Sequence, residues 1–110
     1  MGTAWRNSTL TVLSGQTDSP ILDLTEAKAR YGVHLTIIAP GTLPEATTLQ
    51  VTDGPAGTTF GTLQSGGSDI TIAAAKAVVV GKVVAGGIRI HLGGAAAANR
   101  AFIIQGAPTS

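Results

Sequence analysis

His34 and His91 are the residues of this chain best suited to acid–base or metal chemistry. Each stands in alternating sequence, His34 within YGVHLTIIAP and His91 within GIRIHLGG, so each is expected on the outward side of a strand. On adjacent strands the pair could offer two metal ligands. No carboxylate stands at a matching alternate position beside either, and two ligands leave a zinc site incomplete. The expectation is therefore two histidines that face solvent or an interface, with no metal and no cofactor. Ser14, Ser19, Ser65 and Ser68 lie in turn-like sequence, and none forms a G-x-S-x-G nucleophile elbow. Asp18, Asp23, Asp53 and Asp69 each flank a strand or turn, where aspartate caps and closes turns. GGIRIHLGG and GPAGTTFG are glycine-rich without the strand-to-helix setting of a phosphate loop. No constellation points to an enzyme.

Composition narrows the classes further. With 110 residues the chain suits one domain and one modest core. Charged residues make up 12% and the formal net charge is +1. Seven lysines and arginines spread along the chain form no basic stripe, so no nucleic-acid partner is expected. The absence of cysteine excludes disulfides and thiolate zinc sites. MGTAWRNSTLTV lacks a basic region followed by an apolar run and is not expected to be a signal peptide. No apolar run approaches the roughly 18 residues of a membrane span, so no membrane partner is expected. Low charge density leaves little repulsion between neighbouring copies.

Positioning falls to short apolar runs punctuated by Gly, Pro, Asp and Ser, an all-β rhythm. STLTVLSG places Leu10 and Val12 on one face. SPILDL begins with Pro20, which suits an edge. LTEAKARYG has a helical flavour but is too short to stand alone, and is expected to wrap a corner. YGVHLTIIAP puts Val33, Leu35 and Ile37 inward and His34, Thr36 and Ile38 outward. TTLQVTD, TTFGTLQ and SDITIAA follow, the last two separated by an SGGS turn. KAVVVGKVVAGG is ambiguous, with Gly81 marking a bulge or bend. GIRIHLGG sends Ile88, Ile90 and Leu92 in, and RAFIIQG sends Phe102 and Ile104 in. The run Ala95–Ala98 is expected to be a loop, or alternatively one turn of helix. About eight antiparallel strands imply a two-sheet sandwich or barrel with an aliphatic core. The expected layout is an N-terminal arm over 1–8, one sandwich domain over 9–106, and a frayed tail over 107–110.

Several residues are candidates for contact. Lys28 and Arg30, with Glu26, form a charged corner that either is solvated or meets an acidic neighbour. Trp5, the sole tryptophan, stands beside Arg6, and these types anchor surfaces to partners; alternatively Trp5 plugs one end of the sandwich. Ile38 and Ile103 fall on faces opposite the core and suggest contact with another sheet or subunit.

The order STLTVLSGQTDSPILDL, YGVHLTIIAPGTLPEATTLQVTD, GTTFGTLQ, SDITIAAAKAVVV and GGIRIHLGGAAAANRAFIIQG resembles a group of small structural proteins of tailed bacteriophages. The likeness runs from about Thr9 to Gly106, through short motifs; TEAKAR departs from the tight glycine turn more usual there. It implies a jelly-roll-like β-sandwich and a non-enzymatic role in the virion. The first expectation is a cement or decoration protein, made in the host cytoplasm and bound to the capsid exterior. Its partner would be the major capsid protein, with a homo-oligomer (dimer or trimer) expected. The contact elements would be Trp5, Arg6, the loop PGTLPEA with Leu43 and Glu45, and the loop GGAAAANR with Asn99 and Arg100, since sandwich ends carry the variable loops. The alternatives are a neck, tail or fibre-base subunit and, ranked below it, a carbohydrate-binding sandwich, which would need exposed aromatics.

Overall fold

The pleat explains the architecture: each long strand buries one side and wets the other, so two sheets must close on each other. A computed structural model describes residues 6–24, 33–53, 58–83 and 85–108. In chain order its strands are β1 (Arg6–Val12), β2 (Leu22–Asp23), β3 (Val33–Ile38), β4 (Thr47–Thr52), β5 (Phe60–Thr62), β6 (Gln64–Ser65), β7 (Ser68–Asp69), β8 (Ala77–Val83), β9 (Gly87–Leu92) and β10 (Arg100–Pro108). Among the described residues there is no helix, and hence none long and apolar enough to cross a membrane.

One sheet has the order β1-β10-β3-β8 and the other β2-β9-β4-β5, and every pairing is antiparallel. The pairs β1/β10, β2/β9, β3/β8 and β4/β5 are nested, as if one long hairpin had been rolled up. That is a jelly roll. Eight strands form the sandwich, in line with the expected count, but the expected strand SDITIAA is not among them: its Ser68–Asp69 forms β7, which pairs only with β6 in a small added hairpin. Its turn is Gly66-Gly67, with φ of 65° and 86°, the left-handed pair a two-residue hairpin demands. Bonds from the Leu63 amide to the Leu49 carbonyl and from the Ile72 amide to the Thr47 carbonyl hold this hairpin beside β4.

Two boundaries are corrected. Residues 6–8 belong to β1, paired with 104–106, rather than to an arm. Ala107 and Pro108 belong to β10, opposite His34 and Val33, rather than to a frayed tail. The antiparallel ladder extends past the alternation that set the expected limits. The corner TEAKAR lies outside the described residues.

The core lies between the sheets. Leu10, Val12, Leu35, Ile37, Phe102 and Ile104 enter from one, and Leu49, Ile88, Ile90 and Leu92 from the other, each at most 5% exposed. Phe102 is the one aromatic buried there among the described residues, so the interior is aliphatic as its composition required. In β8, Leu35 faces Gly81 and Thr36 faces Val79, leaving Val80 as an extra residue. Gly81 takes φ of 84°, and the ambiguous valine run is thus a bulged strand. Strand β2 is short because Pro20 has no amide to donate. Ser19 takes over: its hydroxyl accepts the Ile90 amide at 2.9 Å, while its own amide bonds the Ile90 carbonyl at 3.0 Å.

Candidate interaction site

The outer face of the β1-β10-β3-β8 sheet is fixed by register. One row across it reads Thr9, Ile103, Ile38, Ala77; the next reads Asn7, Gln105, Thr36, Val79. Thr11 and Ala101 begin a row on one side, and Ala107, His34 and Lys82 complete one on the other. Three consecutive rows therefore hold no ionisable side chain, and no carboxylate occupies any position of the grid. Ile103 is 40% exposed and Val79 78%. The outward isoleucines expected from alternation are direct cross-strand neighbours here. Between β3 and β10, His34, Thr36, Gln105, Gly106 and Ala107 line an open hollow of about 220 Å³.

The opposite outer face, on β2-β9-β4-β5, is polar and internally cross-linked. His91 and Asp18 are bridged through their backbones, and His91 Nδ1 lies 2.6 Å from Asp18 Oδ1. Thr17 Oγ1 donates to Asp18 Oδ2 at 3.2 Å, and Arg89 Nε stands 3.6 Å from Asp18 Oδ1. Arg89 Nε donates to Gln50 Oε1 at 2.8 Å, and its guanidinium carbon lies 3.5 Å from the centroid of the Phe60 ring. Burial by itself would raise the Asp18 carboxyl; the His91 bond, the Arg89 charge and the Thr17 bond outweigh it and hold the group below its ordinary value. An ionised Asp18 can only accept, so Nδ1 carries the proton. Asp18 and His91 resemble the orienting half of a catalytic triad, but among the described residues no hydroxyl is bonded to the other ring nitrogen. His34 and His91 sit on opposite outer faces, so they cannot share a metal. No group of three or more potential ligands gathers among the described residues.

Three loops meet at one end of the sandwich: 13–21, 39–46 and 93–99. Gly15 and Ala96, and Ala96 and Gln16, are joined amide to carbonyl at 2.8 and 2.9 Å; the Leu92 amide bonds Thr17 and the Gly93 amide bonds Ala46, both at 2.7 Å. Arg100, 7% exposed, donates from Nε to Glu45 Oε1 at 3.0 Å and from Nη2 to Oε2 at 3.3 Å. Glu45 Oε2 also accepts the Ala97 amide at 3.2 Å. The bond from Arg100 comes first among the causes that hold the Glu45 carboxyl below its ordinary value, ahead of an opposing burial effect.

This geometry corrects several expected contact residues. Glu45 and Arg100 face each other in an internal clamp and are not free to grip a partner. Leu43 is buried and belongs to the core. Asn99 is exposed, yet its Oδ1 already accepts the Ser14 amide at 2.9 Å. The backbone of Arg6 lies in β1. Trp5, Lys28 and Arg30 lie outside the described residues. The alanine run is a loop: Ala96 is buried and Ala95, Ala97 and Ala98 are exposed, with no helical turn. The Asp18–His91 pair was hidden because its members stand 73 residues apart. The one available signal was a strand-flanking aspartate before Pro20.

No protein-family model matches the sequence, and no curated protein does. Two solved structures are similar to this chain. One is described as "Bacillus endospore appendages form a novel family of disulfide-linked pili", with 16% identity, a TM-score of 0.48, and 99% of this chain covering 91% of that one. The other is a Yersinia pseudotuberculosis-derived mitogen, with 14% identity, a TM-score of 0.49, and 99% of this chain covering 89% of that one.

Proposed function

We propose that this protein is a structural adhesion subunit, and specifically a cement or decoration protein on the exterior of a tailed-bacteriophage capsid, without enzymatic activity. The observation that carries the reading is the outer face of the β1-β10-β3-β8 sheet, with three rows free of ionisable side chains. Such a face docks without stripping hydration from a charge, which is the costly step in forming a contact. In a cement role each single contact can be weak. Many weak contacts repeated over a lattice still resist rupture, because each copy binds only the assembled arrangement. On the other face Asp18 is bonded to His91 and Arg89 to Gln50, so these polar side chains are engaged with one another. That arrangement also disfavours the carbohydrate reading on this face: Phe60, the aromatic found there among the described residues, is covered by Arg89 rather than open to a sugar ring.

The test is to mix the purified protein with shells of the phage that encodes it and to image the particles. Decoration spread over the shell, with raised resistance to heat, supports the cement role. Density confined to one vertex or to the tail moves the assignment to a neck, tail or fibre-base subunit. No binding to any part of the particle overturns the proposal.

A further inference from the structure

Strand β8 ends its sheet, and no strand lies beyond it among the described residues. Its first half is AVVV, with no charge and no proline. Val78, Val79 and Val80 all keep solvent exposure, although Val78 and Val80 also pack against the core. The ladder tells which backbone groups are free. The Ala39 amide bonds the Lys76 carbonyl at 3.0 Å, so Lys76 and Ala39 are a hydrogen-bonded pair. In an antiparallel ladder such pairs alternate, which makes Val78 and Ile37 the next one. The amides and carbonyls of Ala77 and Val79 then point away from β3, towards the open edge. Beyond them the bulge at Val80–Gly81 breaks the flat edge. The accessible template is therefore short and centred on Val78.

We infer that this edge pairs with β8 of a second copy of this chain, antiparallel about a two-fold axis through Val78. In that register Ala77 faces Val79 of the second copy and the reverse, which closes four backbone hydrogen bonds. Val78 faces its own counterpart at a non-hydrogen-bonded position, where Cα atoms approach to about 4.5 Å. Self-pairing fits the chemistry of the segment better than a foreign strand does. The Ala77–Val80 template is neutral, its register is self-complementary, and Lys76 of each copy falls opposite Val80 of the other rather than opposite a second lysine. The other edge, β1, bears Asn7, Thr9 and Thr11 and exposes no run of valines. Four bonds and a few valines make a small interface, so the dimer is weak and is favoured wherever copies are crowded. This inference stands whether or not the partner shell is identified.

Two variants test it on the intact chain. Val79→Pro removes an amide that the intramolecular ladder does not use, so circular dichroism and thermal melting stay close to the parent. Sedimentation equilibrium is expected to show self-association of the parent, weakened at least tenfold by Val79→Pro. Because the chain has no cysteine, Val78→Cys and Thr9→Cys each introduce a single thiol. Mild oxidation is expected to link Val78→Cys into a dimer at least ten times faster than Thr9→Cys, which reports on the opposite edge. A parent that stays monomeric at millimolar concentration overturns the inference. So does self-association unaffected by Val79→Pro, or cross-linking equal at both edges.

Discussion

The two outer faces share one pleat and treat charge in opposite ways. On the β2-β9-β4-β5 side, Asp18 ties the segment ahead of β2 to His91, while Arg89 joins Gln50 on β4 to the Phe60 ring on β5. Charges there connect segments far apart in sequence and hold down an edge whose strand is only two residues long. On the β1-β10-β3-β8 side all four strands are six or more residues long, on ladders that need no such help, even though β8 is bulged. That sheet can leave its exterior to threonine, isoleucine, valine and amide. Polar cross-links gather where backbone pairing is thin, and the well-paired sheet is free to present a neutral surface.

This contrast can be broken by substitution. The largest effect is expected at Gly87, where an added Cβ would stand 2.6 Å from Ile21 Cγ2 and 3.1 Å from the Leu22 carbonyl oxygen. Gly87→Val should cost about 2 kcal/mol in urea unfolding, because the crossing segment is pressed against β9 there. Asp18→Asn should cost no more than about 1 kcal/mol, since the pair is partly solvated. It should also flatten the acid limb of stability. Asp18 and Glu45 both have folded-state values held below the ordinary carboxylate range. Their contribution is complete above the unfolded-state values of about 4 and is lost as pH falls through the lowered ones. Unfolding measured from pH 7 downward should therefore show stability falling in acid, less steeply in Asp18→Asn.

Ala75, at φ of 59°, occupies the turn before β8 in a conformation that glycine adopts without strain. Ala75→Gly should raise stability by about 0.5 kcal/mol while changing neither face, which makes it a control for effects of stability alone. The smallest effect on folding is expected at the neutral face: Ile103→Lys should move stability by less than about 0.5 kcal/mol. Under the proposed cement role, the same change should clearly weaken attachment to phage shells, as read by co-sedimentation. Equal attachment by Ile103→Lys and by the parent would show that the neutral face is not the contact surface.

Much of each strand could be read locally. The alternation in GIRIHL sent Ile88, Ile90 and Leu92 to full burial and left Arg89 and His91 outside, and SGGS and Gly81 marked their turn and bulge. These features depend on neighbours along the chain. Leu43, Glu45 and Arg100 were misplaced because their surroundings come from distant segments: Arg100 meets Glu45 across 55 residues. A loop rich in Pro and Gly looks exposed, yet its leucine closes the end of a core. Beneath it Arg100 is buried and Glu45 half-buried, where loop 39–46 meets loop 93–99 through the Ala97 amide. The grid on the neutral face was half legible, since alternation identified Ile38 and Ile103 as outward but not as partners.

The nested pairing also governs how the chain matures. Arg6 is matched with Gly106, so the strand made first must wait for the one made last. At about 5–20 residues per second a ribosome takes several seconds to supply that mate. Through that interval STLTV has no strand partner, since β10 is the one strand it pairs with among the described residues. Assembly should thus be slow and sensitive to crowding by nascent copies, a kinetic cost of rolling up a hairpin from its far ends.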